Sequence, residues 1–119
     1  MQDQLNILIV DDEPGIRVTL AGILEDDGYN VVVTEDGAKG ITAAEKKNFD
    51  IAFIDMRMPG INGIKTFKEI KKISPNTIIF FMTAFLDEDT LNEANKLKAQ
   101  EILYKPLDVD LILKILSTI

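Results

Sequence analysis

The chain contains no histidine and no cysteine among its 119 residues. Without cysteine it can form neither disulfides nor thiolate metal sites, although this alone does not fix the compartment. Without histidine it has no Ser-His-Asp triad, no imidazole-bound zinc and no imidazole acid-base chemistry. Any reaction must use carboxylates, hydroxyls, lysine, backbone groups or a hard metal ion. Positive charge is also scarce: 13 Lys and Arg against 20 Asp and Glu leave a net charge of −7. That balance opposes direct binding to nucleic acid, which needs clustered Lys and Arg. It suits divalent cations and basic partner surfaces. No apolar run approaches the roughly 20 residues that span a bilayer. The start, Met1-Gln2-Asp3-Gln4-Leu5, lacks the basic residues of a signal peptide. A cytoplasmic protein with no membrane contact is therefore expected.

What is present is ordinary for a soluble domain, with 46% hydrophobic and 28% charged residues. The length suits one core, and residues 1–119 are read as one domain. Asn6-Ile7-Leu8-Ile9-Val10 reads as a first strand, ending in Asp11-Asp12-Glu13. Pro14 then fits a first helical turn. Ile16, Leu20, Ile23 and Leu24 form a helical stripe that Gly28 ends. Val31–Thr34 is a second strand. Asp36 caps a helix whose period is set by Ala38, Ile41 and Ala44 or Glu45. Ile51-Ala52-Phe53-Ile54-Asp55 is an uninterrupted apolar run closed by an acid, as in a strand buried on both faces. Pro59-Gly60 and Asn62-Gly63 turn the chain into a helix from Ile64 to about Ile73. Thr77–Met82 is a fourth strand ending at Thr83, and Asp87 or Asp89 starts the next helix. Glu101–Tyr104 is a short fifth strand ending at Lys105-Pro106. Asp108 caps a last helix carrying Ile112, Ile115, Leu116 and Ile119. Alternating strands and helices of this kind imply an α/β, flavodoxin-like, doubly wound (βα)5 fold. Its parallel sheet is expected in the order 2-1-3-4-5.

In that order ligands bind beyond the carboxyl ends of the first and third strands. Asp11, Asp12 and Asp55 lie there, with Thr83 and Lys105 at the neighbouring ends. Each has a plain structural reading alone: acids at a helix start, a strand-end threonine, a solvated lysine. Together they form a reaction centre. Converging carboxylates repel one another, and a hard divalent cation such as Mg²⁺ resolves the repulsion. A carboxylate, a hydroxyl, an ammonium and Mg²⁺ describe a phosphoryl-transfer site.

The motifs Ile7–Glu13, Asp55-Met56-Arg57-Met58-Pro59-Gly60 with Asn62-Gly63, Met82-Thr83-Ala84 and Lys105-Pro106 resemble the receiver domain of bacterial two-component response regulators. The resemblance covers essentially the whole chain. Ile7 to Arg17 and Met82 to Phe85 look especially like the single-domain phosphorelay intermediates of sporulating bacteria. The resemblance implies that Asp55 accepts a phosphoryl group from a partner phosphohistidine. It also implies that Asp11 and Asp12, with Asp55 and the backbone carbonyl of Arg57, hold Mg²⁺, for which Mn²⁺ can substitute. Thr83 would bond the phosphoryl group, Lys105 would pair with it, and the Lys105–Pro106 bond would be cis. Such a domain is not a conventional enzyme but catalyses its own aspartyl phosphorylation and dephosphorylation. The donor would be a histidine kinase or histidine phosphotransferase, and the target a downstream effector or a fused output domain. Either a monomer or a phosphorylation-dependent homodimer fits.

Many receivers carry a switch aromatic three positions before the lysine, where this chain has Ile102. Tyr104 is read as core or edge packing in preference to a switch. Arg57 and Phe85 are expected to flank the path of attacking water and slow hydrolysis. A phosphorylation-independent interaction module of the same fold is the alternative. A nucleotide or flavin site is disfavoured, because Asp11-Asp12-Glu13 would repel phosphate.

Overall fold

A computed structural model describes residues 4–84 and 87–119. Strands and helices alternate as β1 (Asn6–Val10), α1 (Pro14–Asp26), β2 (Asn30–Thr34), α2 (Gly37–Lys46), β3 (Ile51–Asp55), α3 (Gly63–Ile73), β4 (Ile78–Thr83), α4 (Glu88–Lys96), β5 (Glu101–Tyr104) and α5 (Val109–Leu116). The strands form one parallel sheet in the order β2-β1-β3-β4-β5, as the alternation implied. Among the described residues no helix is long and apolar enough to cross a membrane.

Side chains alternate across each strand, so the sheet has two cores. Ile7, Ile9, Phe53, Phe80 and Met82 pack under α1 and α5 through Leu20, Leu24, Ile112 and Leu116. Leu8, Val10, Ile54 and Phe81 pack on the other face under α2, α3 and α4. Phe53 stacks on Phe80 with ring centres 5.2 Å apart, and Phe67 tilts against Phe81 at 5.3 Å. Every residue of β3 is buried. A buried Ile or Phe contributes about 1.5–3 kcal/mol, whereas burying a charge costs several kcal/mol unless it is paired. Asp55 is therefore tolerated only at the strand's last position, where partners from other elements can reach it.

Local signals explain most boundaries. Asp36, Asp87 and Asp108 each accept a hydrogen bond from the backbone N–H three residues on, the expected caps. Asn62, read in the sequence as a turn, also caps a helix. Gly28 has φ +97° just past α1, a conformation that suits glycine. Four details differ from the sequence reading. The second strand begins at Asn30. Thr77 lies before β4, where its hydroxyl donates to the Phe49 carbonyl at 2.7 Å. The buried face of α2 is Gly37, Gly40 and Ala44, with Ala38 and Glu45 exposed. Small residues are needed there: a Cβ on Gly40 would lie 2.7 Å from Val10 Cγ2. Finally, α5 ends at Leu116, so Ile119 lies beyond the helix and is exposed.

Gly63 fixes how closely α3 approaches the end of β3. Its N–H donates to the Met56 carbonyl at 3.2 Å. A Cβ at that position would lie 2.5 Å from the Asp55 carbonyl oxygen and 2.6 Å from Met56 Cα, both backbone atoms. Gly63→Ala is therefore expected to destabilise the fold by about 1–3 kcal/mol, read as a lower urea midpoint. An unchanged midpoint would mean the loop can yield at no cost.

Candidate functional site

Sheet register brings the site together. Val10 lies opposite Ile54, so the next residues, Asp11 and Asp55, emerge level with one another. Asp55 lies opposite Met82, and Thr83 opposite Tyr104, so Thr83 and Lys105 emerge one step farther across the sheet. Two backbone bonds lock this edge. Met56 N–H donates to the Met82 carbonyl at 2.9 Å, and Lys105 N–H donates to the Thr83 carbonyl at 2.8 Å. The Lys105–Pro106 bond is cis, as expected.

The Lys105 side chain is only 8% exposed. Its ammonium lies 2.7 Å from Glu13 Oε1, 3.0 Å from Asp11 Oδ2 and 3.3 Å from Asp55 Oδ2. Asp11, Asp55 and Thr83 are buried, while Asp12 and Glu13 are exposed. Asp11 Oδ1 accepts from Glu13 N–H at 2.9 Å, and the Asp11 carbonyl accepts from the Arg17 guanidinium at 2.7 Å. Asp55 Oδ1 accepts from Arg57 N–H at 3.1 Å. The Arg57 side chain turns outward and reaches Asp87 at 3.3 Å, beside the first turn of α4.

All the described residues expected at this edge are present at it. Sequence reasoning missed Glu13 as a partner of Lys105, because an acid before Pro14 reads as helix-start charge. Phe85 lies outside the described residues. Ile102 is half-buried against the core under α3 and α4. Tyr104 is 56% exposed, so core packing is ruled out for it and an edge position remains.

Burial is the largest influence on the Asp55 carboxyl and raises its pKa from 3.8 to about 7. The Arg57 N–H and Lys105 pull it down, and Asp11 pushes it up. Burial alone would lower the Lys105 pKa, but Glu13, Asp11 and Asp55 outweigh it and hold the ammonium above its ordinary value. The donors suit a hard cation. Asp11, Asp12, Glu13 and Asp55 each offer an oxygen within 4.8 Å of the others. Among the described residues Asp11 Oδ2 is buried without a hydrogen-bond donor, its contact with Lys105 being an ion pair outside hydrogen-bonding geometry. One ammonium, paired with three of these four carboxylates, leaves an excess of negative charge that a divalent ion would offset.

The family model for the response regulator receiver domain matches residues 7–117. The chain belongs to that family. Among the relatives of this receiver, the transcriptional regulatory protein ZraR of Klebsiella oxytoca is 38% identical over 108 residues, covering 91% of this chain and 24% of the relative. The receiver thus spans about a quarter of the length of the ZraR proteins it matches. The sporulation initiation phosphotransferase F of Bacillus subtilis is 35% identical over 104 residues, covering 87% of this chain and 84% of the relative. The chemotaxis protein CheY4 of Vibrio cholerae superposes with a TM-score of 0.89 at 28% identity, covering 98% of both chains.

The Asp55 carboxyl yields a pH prediction for the metal-free receiver. Its pKa is higher folded, about 7, than the unperturbed 3.8, so the folded state binds the extra proton between those values. Stability is fully present below the lower value and is lost as pH rises through the upper one. In a chelator, urea midpoints measured between pH 5 and 8 should fall for the wild type relative to Asp55→Asn. A difference between the two proteins that stays constant with pH would contradict the assignment.

Proposed function

We propose that this receiver takes a phosphoryl group onto Asp55 from a partner's phosphohistidine and uses it to change its output surface. The observation that carries the reading is the Asp55 carboxylate, buried at a strand end with Lys105 Nζ at 3.3 Å and Asp11 level with it. An Asp55 oxygen attacks phosphorus as the phosphorus–nitrogen bond breaks. The bond's electron pair leaves with the partner's imidazole. Lys105 offsets negative charge on the equatorial phosphoryl oxygens, and the Thr83 hydroxyl donates a hydrogen bond to one of them. Asp11, Asp12, Asp55 and the Arg57 carbonyl would hold Mg²⁺, or Mn²⁺ in its place, which supplies further charge neutralisation when bound. Attack of water on phosphorus then restores Asp55 and releases inorganic phosphate. The chain in this way catalyses its own phosphorylation and dephosphorylation.

This chain has no histidine, so the donor imidazole belongs to a histidine kinase or a histidine phosphotransferase. The match along most of sporulation initiation phosphotransferase F supports a phosphorelay setting. The match to about a quarter of ZraR supports the alternative of a fused output domain. A downstream effector protein, a cytoplasmic location, and a monomer or phosphorylation-dependent homodimer complete the reading. With Ile102 at the position of the usual switch aromatic, Thr83 shifts without an aromatic flip there.

Incubation with a small acyl phosphate and Mg²⁺ should add one phosphoryl group to the wild type and none to Asp55→Asn, read by intact mass. Undiminished labelling of the variant would remove Asp55 from the role. A folded wild type that neither labels nor binds Mg²⁺ would be a phosphorylation-independent interaction module. Because Arg57 follows the acceptor by two residues and its side chain reaches from that loop to Asp87 at the start of α4, Arg57→Ala should lose its phosphoryl group severalfold faster than the wild type. Slower loss would contradict a shielding role.

A further inference from the structure

Glu13 stands at the residue before α1, where a side chain ordinarily accepts from backbone N–H groups of the first turn. It makes no such bond. Its Oε1 accepts instead from Lys105 Nζ, 92 residues away, at 2.7 Å. This is the shortest of the three carboxylate contacts to that ammonium. An ammonium has three N–H donors, and three carboxylates surround this one. Two of those donors bond Glu13 and Asp55, and Asp11 holds the ammonium as an ion pair, so a phosphoryl oxygen on Asp55 competes with these carboxylates for it. Asp11 and Asp55 are buried at strand ends, whereas the Glu13 side chain is 57% exposed and longer. Glu13 is the partner able to withdraw.

We propose that Glu13 is a positioning residue that holds Lys105 in the unphosphorylated receiver and competes with a phosphoryl group for it. The proposal rests on Asp55 being the acceptor. Its consequence is a built-in competition: the Glu13–Lys105 pair opposes phosphorylation, and loosening it favours the phosphorylated state.

Beryllium fluoride, a tetrahedral phosphoryl mimic, provides the test at saturating Mg²⁺. Glu13→Gln, which keeps the shape but removes the charge, should bind the mimic about tenfold more tightly, equivalent to ~1.4 kcal/mol. Glu13→Asp keeps the charge but shortens the reach, and should behave like Glu13→Gln. In a Lys105→Ala background, Glu13→Gln should bring no gain. Nuclear magnetic resonance of the Lys105 ammonium without mimic should show protected protons in the wild type and loss of protection in Glu13→Gln. Unchanged affinity in Glu13→Gln would overturn the proposal. So would wild-type behaviour of Glu13→Asp beside a tighter Glu13→Gln, since the effect would then be one of charge alone, and so would a gain that persists without Lys105. A wild type that binds no mimic would defeat the acceptor reading instead. Even then, ammonium protection that survives in Glu13→Gln would show that Glu13 does not hold Lys105.

Discussion

Two carboxylates at the ends of adjacent parallel strands cannot both remain charged and buried without a cation between them. Neighbouring strands lie about 4.8 Å apart, and the Val10–Ile54 register places Asp11 and Asp55 on those strands. The rest of the site answers to that constraint. Lys105 crosses from the end of β5 to supply the positive charge, and its stem is buried to do so. Arg57 N–H bonds one Asp55 oxygen. These partners are insufficient: the Asp55 carboxyl stays at about 7, and one buried Asp11 oxygen has no hydrogen-bond donor among the described residues. The remaining electrostatic demand gives the pocket its capacity for a divalent ion and a phosphoryl group.

The sheet's periphery is less constrained, and there the chain departs from the common receiver pattern. Ile102 packs its branched side chain partly into the core under α3 and α4, where an aromatic ring would need more room. The exposed ring of Tyr104 on β5 leaves an aromatic at the edge of the sheet without making it part of the core. The Thr83–Lys105 backbone bond joins β4 to β5 directly below the site.

The sequence made the strands, their parallel order and the acids at their ends readable, because a fully buried strand must be an apolar run and an acid must mark its exit. Asp11, Asp55, Thr83 and Lys105 could be assigned to one edge before any coordinates. Glu13 could not, since its partner is 92 residues distant and its neighbour Pro14 makes helix-start charge the simpler reading. The buried face of α2 was only partly legible, for a related reason. Ile41 and Ala44 pack inward as the periodicity implied, but contact with Val10 and Thr66 demands glycine at Gly37 and Gly40, whose lack of a side chain gives no hydrophobic signal. Asn62 was read only as a turn because the side-chain hydrogen bonding that favours asparagine in turns also serves a cap. The end of α5 was misplaced because Ile119 continues the apolar period beyond the last helical residue.

In the proposed reaction the acid closing β3, and not its neighbour at the end of β1, carries the phosphoryl group. Phosphorylated receiver can be treated with borohydride, which reduces an aspartyl phosphate to homoserine and marks the acceptor permanently, and then mapped by peptide mass spectrometry. Homoserine confined to position 55 is the predicted result. Homoserine at position 11 or 12, or none in a folded, Mg²⁺-supplied sample treated with donor, would contradict the account.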